Sequence, residues 1–378
     1  MTQPGFEAGI RAAGAVTFAL DKSQDQISFD GEVARFGLKK STLSWSDFTA
    51  RLGPADQASL VTGLECDYLD LRLRLIGDDK NVVFARLLGS RVENDRFEGL
   101  MTPAGQLETG GQGRILEEHA LADGVAAGEV IAWYQPIIAL DTGRLAGFEA
   151  LARWERPGVG VLRPDDFLDM ADDLDLLSRI STEVRASAAR DLSSWRTASE
   201  SGRQLFVAAN ATVSELVSPG FSSDLVKVIN EAELPRGSFK LEIAETQIMK
   251  DPERAAEAMS DLAEGGISLA LDDFGTGYSS LARLEMLPFN VIKIDRYFIQ
   301  ALSADESAGT VVQSVIQLAT HFGMTVVAEG VEDEATADQL KEIGCHYAQG
   351  FRYASALSPE MAARIAHEGI EGRFLPAV

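Results

Sequence analysis

The chain has 378 residues, 46% of them hydrophobic and 24% charged, which is long enough for two domains with a sizeable core. Its 58 acidic residues against 34 basic ones give a formal charge of -24, a surface that repels nucleic acid and argues against duplex binding. No apolar run approaches the ~20 residues of a membrane span, and the two distant cysteines, Cys66 and Cys345, make neither a disulfide framework nor a zinc motif. Met1 to Gly14 lacks the apolar core of a signal peptide, so the expectation is a cytoplasmic protein.

The first hundred residues predict a small mixed domain. Val16-Thr17-Phe18-Ala19-Leu20 and Ile27-Ser28-Phe29 are short strands separated by polar turn residues, and helical stretches are expected at Glu32 to Arg35 and Trp45 to Arg51. Leu69, Leu71, Leu73 and Leu75 recur at period two, with Asp70, Arg72 and Arg74 between them. Asp78-Asp79-Lys80-Asn81 then turns the chain into Val82 to Leu88, giving a hairpin. This order, with Gly53-Pro54-Ala55-Asp56 opening a helix, resembles a PAS sensor domain. Residues 1–102 are therefore expected to be a small α+β PAS-like sensory or dimerisation domain. The segment has no haem histidine and no flavin-reactive cysteine motif. Residues 103–113, rich in glycine, read as a linker, and Arg114 to Ala127 as a helix leading into a second domain over 114–378.

From residue 129 onward strand-like and helix-like segments alternate. The apolar runs are Val130 to Leu140, Ala146 to Trp154, Leu205 to Ala209, Phe239 to Ile243, Ile267 to Leu271, Val291 to Ile294 and Thr325 to Ala328. Helices are expected at Leu176 to Arg196, Thr212 to Glu231, Pro252 to Glu264 and Thr310 to Phe322. Thr212 and Glu215 form a T-x-x-E capping box, and Pro252 sits at a first-turn position. Repeated strand–helix units predict a TIM-like (β/α)8 barrel. A doubly wound open sheet is the alternative, but no Gly-rich nucleotide fingerprint follows a first strand.

In a barrel, catalytic groups sit at the C-terminal ends of strands. Here the apolar runs lead to Glu149, Asn210, Glu242, the pair Asp272-Asp273, Lys293 with Asp295, and Glu329 with Glu332; Gln349 precedes Gly350 near the last strand. Each alone reads as a cap or a surface ion pair. Gathered at one mouth, so many acids need cations, because an uncompensated buried charge costs at least several kcal/mol. Oxygen-only donors favour Mg²⁺ or Mn²⁺ over zinc. His119, His321, His346 and His367 share no ligand spacing. Asp272 and Asp273, at the end of a strand, can splay toward one site, an arrangement suited to two cations.

Glu149-Ala150-Leu151 with Arg153-Trp154 resembles the E-A-L-x-R-W signature of EAL-domain cyclic di-GMP phosphodiesterases. The resemblance continues through Tyr134-Gln135-Pro136-Ile137, Leu241-Glu242-Ile243-Ala244-Glu245, Asp272 to Ser280, Ile292-Lys293-Ile294-Asp295, Ala328-Glu329-Gly330-Val331-Glu332 and Gln349-Gly350. Ala211-Thr212 after Asn210, and Arg352-Tyr353-Ala354, depart from the commoner family pattern.

The resemblance implies hydrolysis of cyclic di-GMP to linear 5′-pGpG with two Mg²⁺ or Mn²⁺ ions. Glu149, Asn210, Glu242 and Asp272 would hold one ion, with Asp272 bridging to a second held also by Asp273 and Glu329. Lys293, Glu329 and Gln349 would act on the water, with Lys293 and Glu329 both candidates for the base. Gln135, Leu151, Arg153, Asp295 and Glu332 would bind substrate. Phe274, Gly275, Thr276, Gly277, Tyr278, Ser279 and Ser280 would form a regulatory loop anchored by Glu245. The resemblance also implies a homodimer. A cyclic di-GMP receptor without turnover is the competing reading, set against this chain by its complete ligand set.

Overall fold

The computed structural model describes residues 14–93, 95–104, 111–198, 200, 202–248, 252–275, 287–302 and 306–368. It divides into two compact units, residues 1–128 with 165–177, and residues 129–164 with 178–378.

In the first unit six strands form an antiparallel sheet: β1 (Val16–Asp21), β2 (Gln26–Asp30), β3 (Thr42–Ser44), β4 (Tyr68–Ile76), β5 (Val82–Glu93) and β6 (Arg96–Pro103), in the order β3-β2-β1-β6-β5-β4. Alternation decides the inner face: Val16, Phe18 and Leu20 of β1 and Leu69, Leu73 and Leu75 of β4 are buried together with Phe36, Phe48 and Phe97. The expected helix after residue 32 is a single 3₁₀ turn, Val33–Phe36, closed by Gly37 in the left-handed region at φ 68°. Strand β6 was not expected; its pairing with both β1 and β5 completes the sheet from a sequence, Arg96–Pro103, with only two buried side chains.

The helix Gly111–Ala127 belongs to this unit. It is held by Glu118, 1% exposed, which accepts both guanidinium arms of Arg74 at 2.9 and 3.0 Å.

The second unit is a closed eight-strand barrel. Its strands are β7 (Val130–Ala139), β8 (Leu145–Arg156), β10 (Phe206–Asn210), β11 (Phe239–Ala244), β12 (Ser268–Phe274), β13 (Val291–Ile294), β14 (Thr325–Ala328) and β15 (Tyr347–Ala348); β9 (Gly160–Leu162) extends β8 as a hairpin. The ring closes through parallel pairing of β10 with β8. At that seam β8 carries Gly147, where a Cβ would lie 2.4 Å from the Phe206 carbonyl oxygen, so only glycine lets the two strands meet.

Strand β7 runs antiparallel to both neighbours, β8 and β15, while the other barrel pairings are parallel. The cause is the connection. Only residues 140–144 separate β7 from β8, with Gly143 at φ 68°, whereas a parallel crossover needs a dozen residues or more.

The helices follow the amphipathic rule. Leu177–Ala198 buries Ile180, Val184, Ala188, Leu192 and Trp195, and the Trp195 ring packs 4.9 Å from both Tyr134 and Phe148. The helix expected over Thr212 to Glu231 is two helices, Val213–Leu216 and Phe221–Glu231. Pro219 and Gly220, the latter at φ 88°, break it. The Thr212–Glu215 capping box forms as expected.

Candidate active site

All eight barrel strands deliver a polar side chain to one end. Gln135 comes from β7, Glu149 from β8, Asn210 from β10, Glu242 from β11, Asp272 and Asp273 from β12, and Lys293 from β13; Glu329 directly follows β14 and Gln349 follows β15. Register explains the gathering. Gln135 lies opposite Glu149, and Asn210 opposite Glu242, so neighbouring strands present these groups at matching heights.

Lys293 is the centre of the arrangement and is 1% exposed. Its ammonium lies 2.7 Å from Glu329, 2.8 Å from Glu242, 3.0 Å from Asp272 and 3.5 Å from Glu149. Gln349, also buried, donates to Glu149 at 2.6 Å and to Gln135 at 2.9 Å. Asn210 donates to the other Glu149 oxygen at 3.2 Å.

Asp272 and Asp273 reach the same place through an irregularity. The pairing of β12 with β13 shifts register between Leu271 and Phe274, and Asp273 takes a left-handed backbone at φ 54°. Strict alternation would send two successive side chains to opposite faces; the bulge turns both toward the mouth. Oxygens of Asp272, Asp273 and Glu329 lie within 4.8 Å of one another. Just beyond, the buried Glu245 carboxylate accepts the Gly275 N–H at 2.9 Å. Phe274 and Gly275 are described; Thr276 to Ser280 of the expected loop lie outside the described residues.

Charge is out of balance. Burial pushes the Glu242 carboxyl well above the usual range, against the pull of Lys293. Burial likewise raises Glu329, to about 7. Asp273 is raised by burial and by Asp272 beside it. Burial alone would lower Lys293, but Asp272, Glu149, Glu242 and Glu329 outweigh it and hold the ammonium well above its usual range. For Glu149 burial is outweighed by Lys293, Gln349 and Asn210, and the carboxyl is held below its ordinary value.

One lysine cannot neutralise this set. The buried Oδ1 atom of Asp272 is held only by its ion pair with Lys293, and Gln349 Oε1 is buried without a hydrogen-bond partner. An unpartnered acceptor beside an oxygen-donor set with more carboxylates than cations could take hard divalent cations.

A cavity of about 300 Å³ opens over this cluster. Gln135, Glu149, Leu151, Asn210, Asp272, Lys293, Glu329, Glu332 and Gln349 line it. Arg153 and Asp295 lie outside that lining: the Arg153 guanidinium donates to the Ala152 carbonyl at 2.8 Å, and Asp295 caps the helix Arg296–Ala301 through the Tyr297 N–H at 2.9 Å.

Three lining residues were not anticipated: Arg296, Gln300 and Phe351. Arg296 and Phe351 adjoin motif residues Asp295 and Gly350, a signal available in the sequence. Gln300 sits one helical turn beyond Arg296 and donates to Glu332 at 3.2 Å. Gly350, at φ 157°, brings the chain so close to Val331 that a Cβ would meet its backbone at 2.2 Å. A larger cavity, about 1000 Å³, lies at the opposite barrel end against Phe206 and Tyr347; it lacks the acidic cluster and faces away from where barrel chemistry resides.

Fold and site together define a TIM-like barrel protein with an acidic cluster at its mouth, whose oxygen donors could hold hard divalent cations. The chain belongs to the EAL domain family, which matches residues 118–356. It is 33% identical over 311 residues to the cyclic di-GMP phosphodiesterase RocR of Pseudomonas aeruginosa, covering 81% of this chain and 75% of that protein. Among solved structures, the PaMucR phosphodiesterase in complex with c-di-GMP is 30% identical, with a TM-score of 0.61 over 65% of this chain and 98% of that one. The EAL domain of Mycobacterium smegmatis DcpA is 33% identical, with a TM-score of 0.55 over 63% of this chain and 97% of that one. Among the described residues no helix is long and apolar enough to cross a membrane.

Proposed function

We propose that this chain is a cation-dependent phosphodiesterase that hydrolyses cyclic di-GMP to linear 5′-pGpG in the cytoplasm. The observation that carries the reading is one lysine ammonium within 3.5 Å of four carboxylates, beside Asp273. Glu149, Asn210, Glu242 and Asp272 would hold one Mg²⁺ or Mn²⁺, and Asp272, Asp273 and Glu329 a second. When bound, such a pair lowers the pKa of the attacking water and neutralises charge growing on the phosphodiester.

The chain's own groups do the rest. Lys293, protonated among its carboxylates, orients the water by donating to it. Glu329, the most exposed of the four carboxylates paired with Lys293, takes the water's proton as the new P–O bond forms, and the bond to the 3′ oxygen breaks, that oxygen leaving as the 3′-hydroxyl after taking a proton from solvent. Gln349 Oε1, buried without a partner, accepts from the water's second hydrogen. Gln135, Leu151 and Glu332 line the cavity for the nucleotide, and Arg153 and Asp295, outside that lining, would contact phosphate and base.

The N-terminal part, residues 1–102, reads as a PAS-like domain. Its β1 strand is flanked by its hairpin partner β2 and by the last strand β6, with the helices inserted before β4, an order that supports this reading. The linker was expected over residues 103–113, with the EAL portion over 114–378; because the helix Gly111–Ala127 belongs to the first unit, the link to the barrel would fall after that helix. Regulation would reach the site where Glu245 holds Gly275, in a homodimer paired beside the Phe274 to Ser280 loop.

The test is to incubate purified protein with cyclic di-GMP and Mg²⁺ or Mn²⁺ and to separate the products by chromatography. Linear 5′-pGpG is expected. Unchanged dinucleotide despite measurable binding would leave a receptor in place of an enzyme.

A further inference from the structure

We infer that Arg185 is a positioning residue for the cation site, acting through Asn210; this rests on the reading that Asn210 is a cation ligand. Arg185 lies in the helix Leu177–Ala198 and is 3% exposed, though it takes no part in the cavity lining. A buried guanidinium is costly to desolvate, and its helix neighbours on the same stripe, Val184 and Ala188, show that an apolar side chain would serve for packing.

The fork of Arg185 braces one turn of backbone. Its Nη1 donates to the Asn210 carbonyl at 3.0 Å, and its Nη2 donates to Glu215 Oε1 at 2.7 Å and to Thr182 Oγ1 at 3.4 Å. The other Glu215 oxygen accepts the Thr212 N–H at 2.9 Å and the Thr212 hydroxyl at 3.1 Å. One guanidinium thus fixes the carbonyl at the start of Asn210-Ala211-Thr212 and, through Glu215, the N–H at its end.

Asn210 needs that help. It is the last residue of β10, its side chain is exposed, and the one hydrogen bond that side chain makes among the described residues is to Glu149. With that single bond on the mouth side, its direction depends on how the backbone behind it is held. Two donors in a fixed plane are required, because the carbonyl and the carboxylate are separate acceptors; the guanidinium also lies 5.1 Å from the Phe221 ring centroid, a contact suited to its flat shape. A lysine ammonium can keep the Glu215 charge paired but cannot span both acceptors in this geometry.

The experiment is a double-mutant cycle on the full-length protein. Mn²⁺ affinity is measured by calorimetry, and folding by circular dichroism and the melting temperature without cation, for wild type, Arg185→Lys, Asn210→Ala and the double variant. Arg185→Lys is expected to fold and to weaken Mn²⁺ binding roughly 10-fold, the loss seen when a group that orients a ligand is removed. In the Asn210→Ala background the same change should weaken binding less than about twofold.

Unchanged affinity in Arg185→Lys, or an equal loss with and without Asn210, overturns this inference alone. Asn210→Ala binding like wild type overturns Asn210 as a ligand and Arg185 with it. Wild type that binds no Mn²⁺ overturns the cation reading itself. If the lysine form does not fold, Arg185→Met combined with Glu215→Gln removes both buried charges together and is measured in the same cycle.

Discussion

Replacing Lys293 by methionine removes the ammonium and keeps a chain of similar length. At the 2.7–3.0 Å separations of its three nearest carboxylates, each attraction is about 6 kcal/mol at an effective dielectric of about 20. Desolvation offsets most of that, and deleting one partner of a buried ion pair costs about 3–5 kcal/mol. For a barrel of this size the loss lowers the melting temperature by roughly 6–20 °C without cation.

Protons and divalent cations can both replace the lost charge, so the deficit should shrink at pH 5 and again in Mg²⁺. The sign comes from the raised carboxyls. Burial lifts the Glu329 pKa to about 7 and that of Glu242 well above its usual range, so their contribution is present below the ordinary carboxyl range and is lost as pH rises through the folded values. Cation-free protein should therefore melt lower at pH 8 than at pH 5, in Lys293→Met more than in wild type. Scanning calorimetry at both pH values, with and without Mg²⁺, reads this directly. A Lys293→Met protein as stable as wild type at pH 8 without cation would refute the charge argument. Turnover in saturating Mg²⁺ should still fall about 10²–10⁴-fold, since the water has lost its orienting donor.

Glu149→Ala should reduce turnover at least about 10³-fold and weaken Mn²⁺ binding by calorimetry, because it removes a proposed ligand and frees Gln349 and Asn210 together. Asp273→Gly should move two properties in opposite directions. It relieves the left-handed backbone at φ 54°, raising stability by about 1 kcal/mol in urea unfolding, while turnover should fall because a proposed second-cation ligand is gone. Glu245→Ala should lower Mn²⁺ affinity about 10-fold through the released Gly275 N–H; an unchanged affinity and rate would leave Glu245 a purely structural residue.

Where the sequence was legible, the determining physics was local. Val291–Ile294 and Thr325–Ala328 coincide with their apolar runs because each short buried strand ends where acidic residues begin, at Asp295 and Glu329. The leucines of β4 and the Thr212 box were readable for the same reason, since period-two burial and a three-residue cap need no distant partner. Strand β6 was missed because its sequence is half polar and glycine-bearing; what makes it a strand is two neighbours, β1 and β5, that pair with it on either side. The direction of β7 was encoded in the brevity of residues 140–144, a length argument rather than a pattern. Arg185 was hidden differently. On a helical wheel it looks like one polar residue on a buried stripe, and only the fold brings the Asn210 carbonyl to it.

The pair Asp272-Asp273 shows why a site can be read from the sequence before its geometry. That both acids serve one mouth was inferable from the company they keep at neighbouring strand ends. That they splay toward it was expected from their place at the strand end; the bulge that accomplishes it was not, because period-two alternation alone sends Asp273 outward. The bulge after Leu271 reverses this at the expense of a non-glycine residue in the left-handed region, a strain of about 1–2 kcal/mol, and sets two like charges side by side. Neither feature favours folding, and glycine at 273 would remove both. The surrounding structure nevertheless holds the conformation, with Glu245 pinning the next backbone N–H but one, at Gly275. Strain concentrated where Asp272, Asp273 and Glu329 converge is what a site pre-shaped for the proposed cations would require: the folded chain bears the cost in advance, and bound ions would meet oxygens already in position.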